Sequence, residues 1–97
     1  MDKESQIGPE TRVQTSGRGV FSDLGEGSVI MDQHEGVYYG LNEVGARIWE
    51  IIEEPILFSD LIDGLLVEYE IERPRCEKTT RALLLKLHEK GLVTFDV

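Results

Sequence analysis

The side chains with the greatest chemical potential in this 97-residue sequence are its single cysteine, Cys76, and its two histidines, His34 and His88. A cysteine nucleophile needs a histidine within hydrogen-bond reach. Cys76 and His88 lie twelve residues apart in one predicted helix, which separates them by about 18 Å along its axis. His34 lies in a predicted turn, and no further cysteine or histidine has the spacing of a zinc site. The sequence therefore predicts neither a cysteine-dependent active site nor a metal site.

The carboxylates and glycines do not indicate catalysis either. Glu53 and Glu54, like Asp60 and Asp63, flank the ends of predicted helices, where acidic residues are typical of a solvated surface. The Gly-X-Gly sequences on either side of the first predicted strand do not open a helix, so they do not resemble a phosphate-binding loop. We predict a protein that has no catalytic residues and no cofactor.

The composition describes a small acidic domain with an uneven distribution of charge. The chain has 19 acidic and 10 basic residues, a net charge of −9, and 40% hydrophobic residues. The negative charge disfavours binding to nucleic acid or to an anionic membrane, and no apolar run is long enough to span a membrane. A lone cysteine predicts a cytoplasmic protein without intrachain disulfides. Residues 42–72 have a net charge of −8, whereas residues 73–90 have a net charge of +4.

Hydrophobic periodicity predicts one α+β domain over residues 12–97, after a flexible N-terminal tail over residues 1–11. Apolar residues alternate in three segments that predict an antiparallel meander, namely residues 20–24, 28–32 and 37–41. A short fourth strand is considered at residues 13–15, and residues 92–95 are predicted to cover the bottom of the core.

After residue 41 the period changes to that of helices. Asn42 and Ser59 are predicted N-caps of the first two helices, and the third helix is predicted to run from Pro74 to a C-terminal glycine, Gly91. An N-terminal three-stranded antiparallel sheet followed by three helices is the composition of a winged helix-turn-helix fold.

The third predicted strand, Val37–Leu41, lies at an edge of the meander. It has no charged residue and no proline, which are the usual protection of an exposed edge. Because side chains alternate, one of Tyr38 and Tyr39 is predicted to face the core and the other is not. Two interpretations remain open, since the edge either receives a peptide as an added strand or is covered by the following helix.

The third helix provides a second candidate surface. Its predicted core stripe consists of Cys76, Thr80, Leu83, Leu84 and Leu87. Leu85 lies well outside this stripe, which leaves two interpretations. Leu85 is either an isolated exposed leucine, or it belongs to a groove wall made of Arg81, Leu84, Leu85 and His88.

The strand-to-helix junction from Tyr38 to Glu50, YYGLNEVGARIWE, resembles the PqqD-like proteins, which are named for the pyrroloquinoline quinone synthesis protein D. The resemblance is greatest to stand-alone members from lasso-peptide gene clusters and covers about residues 12–97. It implies a RiPP recognition element (RiPPs are ribosomally made, modified peptides) with a winged helix-turn-helix fold and no catalytic residues. Such a domain binds the leader of a precursor peptide as an extra strand. Lasso-peptide members present the precursor to a separate leader peptidase and a cyclase.

For this sequence the resemblance implies peptide-binding residues on two elements. The pairing strand consists of Val37, Tyr38, Tyr39, Gly40 and Leu41. The facing helix contributes Glu77, Thr80, Arg81, Leu84, Leu85 and His88. Leu85 departs from the polar residue expected at its position, so the resemblance does not fix the wall of the groove.

The alternative hypothesis is a DNA-binding winged-helix protein that uses the basic third helix. That helix carries Arg75, Lys78, Arg81, Lys86 and Lys90. The net charge of −9, and the −8 of the segment that contains the first two helices, would repel phosphates. The sequence therefore favours a peptide-binding protein over a DNA-binding protein.

Overall fold

A computed structural model describes residues 7–96 of the chain. In this range the strands are β1 (Arg12–Thr15), β2 (Gly19–Asp23), β3 (Ser28–Asp32), β4 (Val37–Leu41), β5 (Ile56–Leu57) and β6 (Val93–Asp96). The helices are α1 (Glu43–Ile51), α2 (Phe58–Glu68) and α3 (Arg73–Glu89). The predicted α+β class, with antiparallel strands and three helices, is confirmed.

The predicted meander is the sheet β2-β3-β4. Its first strand begins at Gly19, one residue earlier than predicted. A Cβ atom at Gly19 would lie 2.6 Å from Cγ2 of Ile30 and 2.9 Å from the Trp49 ring. Only glycine lets β2 approach this closely, so the sheet is packed directly on α1.

A second three-stranded sheet, in the order β5-β1-β6, corrects the predicted order of one N-terminal sheet followed by helices. β1 contains the short strand considered at residues 13–15, and β6 contains most of the segment predicted to cover the core. Strand β5 has two residues and β6 has four. Such short strands carry little periodicity, and their partner β1 is distant in sequence, so local patterns do not reveal the sheet.

The N-terminal segment divides into two parts. Of the tail predicted for residues 1–11, residues 1–6 lie outside the described residues, whereas residues 7–11 pack on the domain. Ile7 is 2% exposed within the core, and its carbonyl accepts a hydrogen bond from Nε of Arg81 at 3.1 Å.

This packed segment also provides the N-terminal cap of α2. The amides of Phe58 and Ser59 donate to the carbonyls of Thr11 and Pro9 at 2.8 and 2.9 Å. Helix α2 begins at Phe58, and no side chain caps it. The prediction that Ser59 is the N-cap is therefore wrong, because backbone carbonyls already satisfy these amides.

The core lies between the inner face of β2-β3-β4, the three helices and β1. Asn42 caps α1 as predicted, since its side chain accepts a hydrogen bond from the amide of Gly45 at 2.8 Å. Gly91 follows α3 with a φ of 76°, as predicted for a C-terminal glycine. Within the described residues, no helix is long and apolar enough to cross a membrane.

The structure separates two adjacent leucines of α3 that the sequence placed in the same core stripe. Leu84 is fully buried, whereas Leu83, which the sequence placed inside the stripe, is half-buried. We expect Leu84→Ala to lower the free energy of unfolding by about 2–5 kcal/mol, because it leaves a cavity. Leu83→Ala should lower it clearly less. Urea denaturation of both variants measures the difference, and equal losses would contradict this assignment of the core.

Candidate peptide-binding site

Among residues 7–96, strand β4 is the outer strand of its sheet, and the ladder shows which of its backbone groups have no partner strand in this range. The amide of Leu24 donates to Gly27, and the amide of Gln33 donates to Arg18. Both pairs continue the register of β2 with β3, so the odd-numbered residues of β3 direct their backbone groups at β2. The even-numbered residues of β3 therefore bond to β4.

The register of β3 with β4 completes this assignment. Residues 28, 30 and 32 lie opposite Leu41, Tyr39 and Val37, so those three residues form the hydrogen-bonded pairs. Tyr38 and Gly40 lie between them and direct their N–H and C=O groups away from β3. Two residues of β4 thus carry four backbone groups oriented for pairing with a further strand.

The side chains of β4 alternate as predicted. Tyr39 and Leu41 pack into the core, whereas Tyr38 is 64% exposed. Tyr39 is therefore the tyrosine that faces the core. A Cβ atom at Gly40 would have no neighbour within 4 Å, so no side chain packs over this end of the strand.

A groove runs between β4 and α3, and we call it the β4–α3 groove. Its first part is a cavity of about 220 Å³ lined mainly by Gly40, Leu41, Val44, Ile48, Thr79 and Leu83. Its second part is a wider cavity of about 660 Å³ whose lining includes Val37, Tyr39, His88 and Lys90. The first part is mostly apolar and the second part is mostly polar.

Four of the six peptide-binding residues predicted on α3 have side chains that do not face the β4–α3 groove. Leu84 and Thr80 are buried in the core. The Arg81 guanidinium lies over the Phe58 ring, 4.8 Å from its centroid. Glu77 faces Arg73 of its own helix at 3.7 Å.

The other two predicted residues of α3 differ from each other. Leu85 is half-buried and packs against the core. His88 lines the wide end of the groove, and its Nδ1 lies 3.0 Å from the carbonyl oxygen of Val93 while its ring stacks on Phe95. Of the predicted helix residues, the structure therefore brings only His88 to the groove beside β4.

The predicted wall lies on the Leu84 side of the core stripe, whereas the groove beside β4 lies on the Leu83 side. Thr79 and Leu83 are four residues apart and line the groove together. Arg81 lies two residues from each, about 160° away around the helix. Sequence periodicity placed the two edges of the core stripe at Leu83 and Leu84. It could not show which of these edges faces β4.

Three basic residues share the groove side of α3. They are Arg75, Lys86 and Lys90. Each is exposed and lies three, four or seven residues from Thr79 or Leu83. By helical spacing, half of the bases in residues 73–90 therefore lie on the groove side of α3, whereas α1 and α2 lie in the acidic segment.

An ion pair between Arg18 and Asp32 lines the wide end of the groove. Nη2 of Arg18 lies 3.3 and 3.1 Å from the two carboxylate oxygens of Asp32, the last residue of β3. Burial raises the pKa of Asp32, but the amides of His34 and Glu35 and the Arg18 charge favour the ionised form. The net effect is a pKa below the ordinary value. Sequence reasoning missed both residues, since nothing local pairs positions 18 and 32.

The outer face of β2-β3-β4, away from the core, carries no charged side chain. It consists of Val20, Ser22, Leu24, Val29, Met31, Tyr38 and Gly40. Val20, Met31 and Tyr38 form one cross-strand row, and Leu24 is 65% exposed. Such a patch is notable in a chain with 30% charged residues, and it adjoins the free edge of β4.

Cys76 is buried, as predicted, with Oγ1 of Thr80 4.0 Å from its Sγ. Across residues 7–96, no three side chains of the metal-binding types cluster closely enough to hold a metal ion. What the geometry provides is a strand edge, a groove and an uncharged sheet face.

Comparison with known proteins gives one family and two similar structures. The family model of coenzyme PQQ synthesis protein D (PqqD) matches residues 27–93. The structure described as "TbiB1 in Complex with the TbiA(beta) Leader Peptide" has 31% sequence identity and a TM-score of 0.73, covering 82% of this chain and 93% of that one. "Lasso peptide synthetase B1 complexed with the leader peptide" has 28% identity and a TM-score of 0.71, covering 88% and 98%. No curated protein sequence matches significantly.

The lowered pKa of Asp32 predicts how stability depends on pH. A carboxyl whose pKa is lower in the folded state stabilises the fold above the unfolded pKa of about 3.9 and loses that effect as the pH falls through the folded pKa. Asp32→Asn keeps an oxygen for the amides of His34 and Glu35 but loses the charge. We expect the variant to be less stable at neutral pH and to approach the wild type below about pH 4.

Urea denaturation between pH 2.5 and pH 7 measures this convergence. Glu53→Gln, which removes the same charge from an exposed residue, is the matched control. A stability difference between wild type and Asp32→Asn that stays constant over this range would show that ionisation of Asp32 does not stabilise the fold.

Proposed function

The chain belongs to the PqqD family, and we propose that it is a RiPP recognition element that binds the leader of a lasso-peptide precursor by strand addition and presents it to a leader peptidase and a cyclase. The observation that carries this proposal is the free edge of β4, where Tyr38 and Gly40 direct four backbone groups toward the β4–α3 groove. An unprotected edge beside an apolar cavity is the arrangement that strand addition requires.

Both similar structures are described as complexes with a leader peptide, which supports the same class of ligand for this chain. In the proposal, main-chain hydrogen bonds to Tyr38 and Gly40 fix the position of the leader, and its alternate side chains enter the groove. Thr79 and Leu83 form the apolar wall, and His88 lies at the wide end. These residues replace Glu77, Thr80, Arg81, Leu84 and Leu85 in the proposed site, while the whole of Val37–Leu41 remains in it.

The proposed role is recognition without catalysis, and we place it in the cytoplasm, where a lone buried cysteine stays reduced. We also propose that α2 and α3 with the sheet β2-β3-β4 form a variant of the winged helix-turn-helix. No observation favours DNA as the ligand, since the groove side of α3 faces β4 and the net charge is −9.

The outer face of β2-β3-β4 supports the part of the proposal that concerns presentation. A leader strand added to β4 would extend this uncharged face, and its outward side chains would adjoin Tyr38 and Gly40. A protein that docks on the outer face would therefore contact the sheet and the bound leader together. We propose this face as the surface for the leader peptidase.

Proline substitution tests strand addition directly. Tyr38→Pro removes an N–H that points to the open edge and leaves the bonds to β3 intact, so we expect binding to weaken about tenfold or more with little loss of stability. Anisotropy of a fluorescein-labelled leader peptide, taken from the precursor encoded in the same gene cluster, measures the affinity.

Two variants serve as controls for this experiment. Tyr38→Ala keeps the amide and should bind more tightly than Tyr38→Pro, whereas Tyr39→Pro breaks a bond to β3 and should destabilise the sheet. Equal affinity of Tyr38→Pro and Tyr38→Ala would exclude pairing at this amide. No binding of any cluster-encoded leader to the wild type would exclude the proposed function.

Charge on the groove side of α3 is expected to affect association. Lys86→Glu should slow the association of an acidic leader and reduce its dependence on salt, while dissociation changes little. Lys78→Glu makes the same charge change about 80° around the helix and is the matched control. Stopped-flow measurements from 20 to 150 mM salt compare the two, and equal effects would indicate only a general influence of net charge.

Substitution on the outer face separates presentation from binding. Val20→Lys puts a charge at the β2 end of the Val20, Met31 and Tyr38 row without touching the edge of β4. We expect it to slow leader removal by the peptidase at least about fivefold while leader affinity stays unchanged. Gln14→Lys on β1, exposed in the other sheet, is the control. Unchanged cleavage with Val20→Lys would exclude this face as the docking surface.

A further inference from the structure

The two sheets are joined at a single residue, Gly17. The amide of Ser16 donates to the carbonyl of Leu92 at 2.9 Å, which continues the ladder of β1 with β6. Two residues later the carbonyl of Arg18 accepts from Gln33 at 2.9 Å, which continues the ladder of β2 with β3. Gly17 lies between them with a φ of 91°, a conformation that favours glycine. The chain passes from one sheet to the other over this one residue.

The sheet β2-β3-β4 is therefore covalently attached to the rest of the domain at two points. One is Gly17, and the other is Asn42, where β4 leads into α1. The Asn42 end is fixed by the helix cap and by the burial of Leu41 in the core. The end near Gly17 lies beside the wide part of the β4–α3 groove, where polar groups replace the apolar lining.

Arg18 spans this wide end. Its guanidinium pairs with both carboxylate oxygens of Asp32, and Asp32 lies opposite Val37 of β4. On the other side, a Cβ atom at Gly91 would lie 2.5 Å from Nη1 of Arg18, so the guanidinium packs against Gly91, two residues after the last residue of α3. In the described part of the chain, the buried Nε of Arg18 has no hydrogen-bond partner.

We propose that Arg18 is a positioning residue that sets the separation between β4 and the C-terminal end of α3, and so the width of the peptide groove. The ion pair holds the sheet, and the contact with Gly91 holds the helix. Oγ of Ser16 donates to the carbonyl of Gly91 at 2.6 Å, which also connects the residue before Gly17 to the C-terminal end of α3. The part of this inference that concerns peptide affinity rests on the proposed function.

The physical reason is preorganisation. A strand can add to β4 only when the distance to α3 accommodates its backbone and side chains. If the sheet could pivot between Gly17 and Asn42, only a fraction of molecules would have this distance, and the apparent affinity would fall by that fraction. The Asp32 side chain is buried, so solvent weakens the Arg18–Asp32 ion pair less than a pair in which both side chains are exposed.

Two spin labels measure the groove without any ligand. Cysteines introduced at Ser22 on β2 and Lys86 on α3, both exposed, would be labelled in a Cys76→Ala background. Double electron–electron resonance then gives the distribution of distances between sheet and helix. The comparison is between the parent protein, Arg18→Gln and Asp32→Asn. Arg47→Gln is the matched control, because Arg47 is as exposed as Arg18 (39% against 38%) and pairs with Glu68 away from the groove.

We expect Arg18→Gln and Asp32→Asn to broaden or shift the distribution and Arg47→Gln to leave it unchanged. The first two should also bind the labelled leader about three- to tenfold more weakly at a temperature where all variants are folded. A purely stabilising role would lower the melting temperature and leave the distances unchanged, which would overturn the inference. Failure of the parent protein to bind any leader would instead overturn the proposed function, while the distance measurement would still decide the role of Arg18.

Discussion

The alternation of side chains along β4 is the constraint on which the rest of the site depends. Tyr39 and Leu41 are committed to the core, and this fixes the rotation of the strand about its own axis. Once that rotation is set, Tyr38 and Gly40 direct their side chains outward and their backbone groups to the open edge. The same burial that stabilises the sheet therefore determines which hydrogen-bonding groups are available to a ligand. A shift of one residue would exchange the buried and exposed sets, so stability and recognition cannot vary independently here.

The second sheet and the N-terminal segment support the helices rather than the ligand. Val13 is fully buried in the middle strand of β5-β1-β6, and residues 7–11 supply backbone carbonyls to the start of α2. Arg81 joins this segment to Phe58. The side of α3 that carries Arg81 is thereby occupied within the domain, which leaves the side with Thr79 and Leu83 to face β4. The division of α3 into two sides follows from packing that involves residues more than 70 positions apart.

Much of the fold could be predicted from the sequence because its signals are local. The alternation of Val37–Leu41, the cap at Asn42 and the glycine after α3 each depend on a few neighbouring residues, and all three are present in the structure. The short strands β5 and β6, the packing of residues 7–11 and the pairing of Arg18 with Asp32 depend on partners far away in sequence. The candidate site divides in the same way. Its strand, Val37–Leu41, has the predicted bounds, whereas the side of α3 that faces this strand was not predicted, since periodicity gives the width of a core stripe but not the direction of its neighbours.

The free backbone groups of β4 repeat every second residue, and this repeat limits the positions at which a peptide can pair with the strand. A paired strand can move along this edge only in steps of two residues, about 6.8 Å, because a step of one would turn its inward side chains outward. The number of residues between the bound segment and any distant bond of the same peptide can then change only by even numbers. The position at which a second protein would act on the bound peptide is therefore set, in steps of two residues, by the pairing of that peptide with Tyr38 and Gly40.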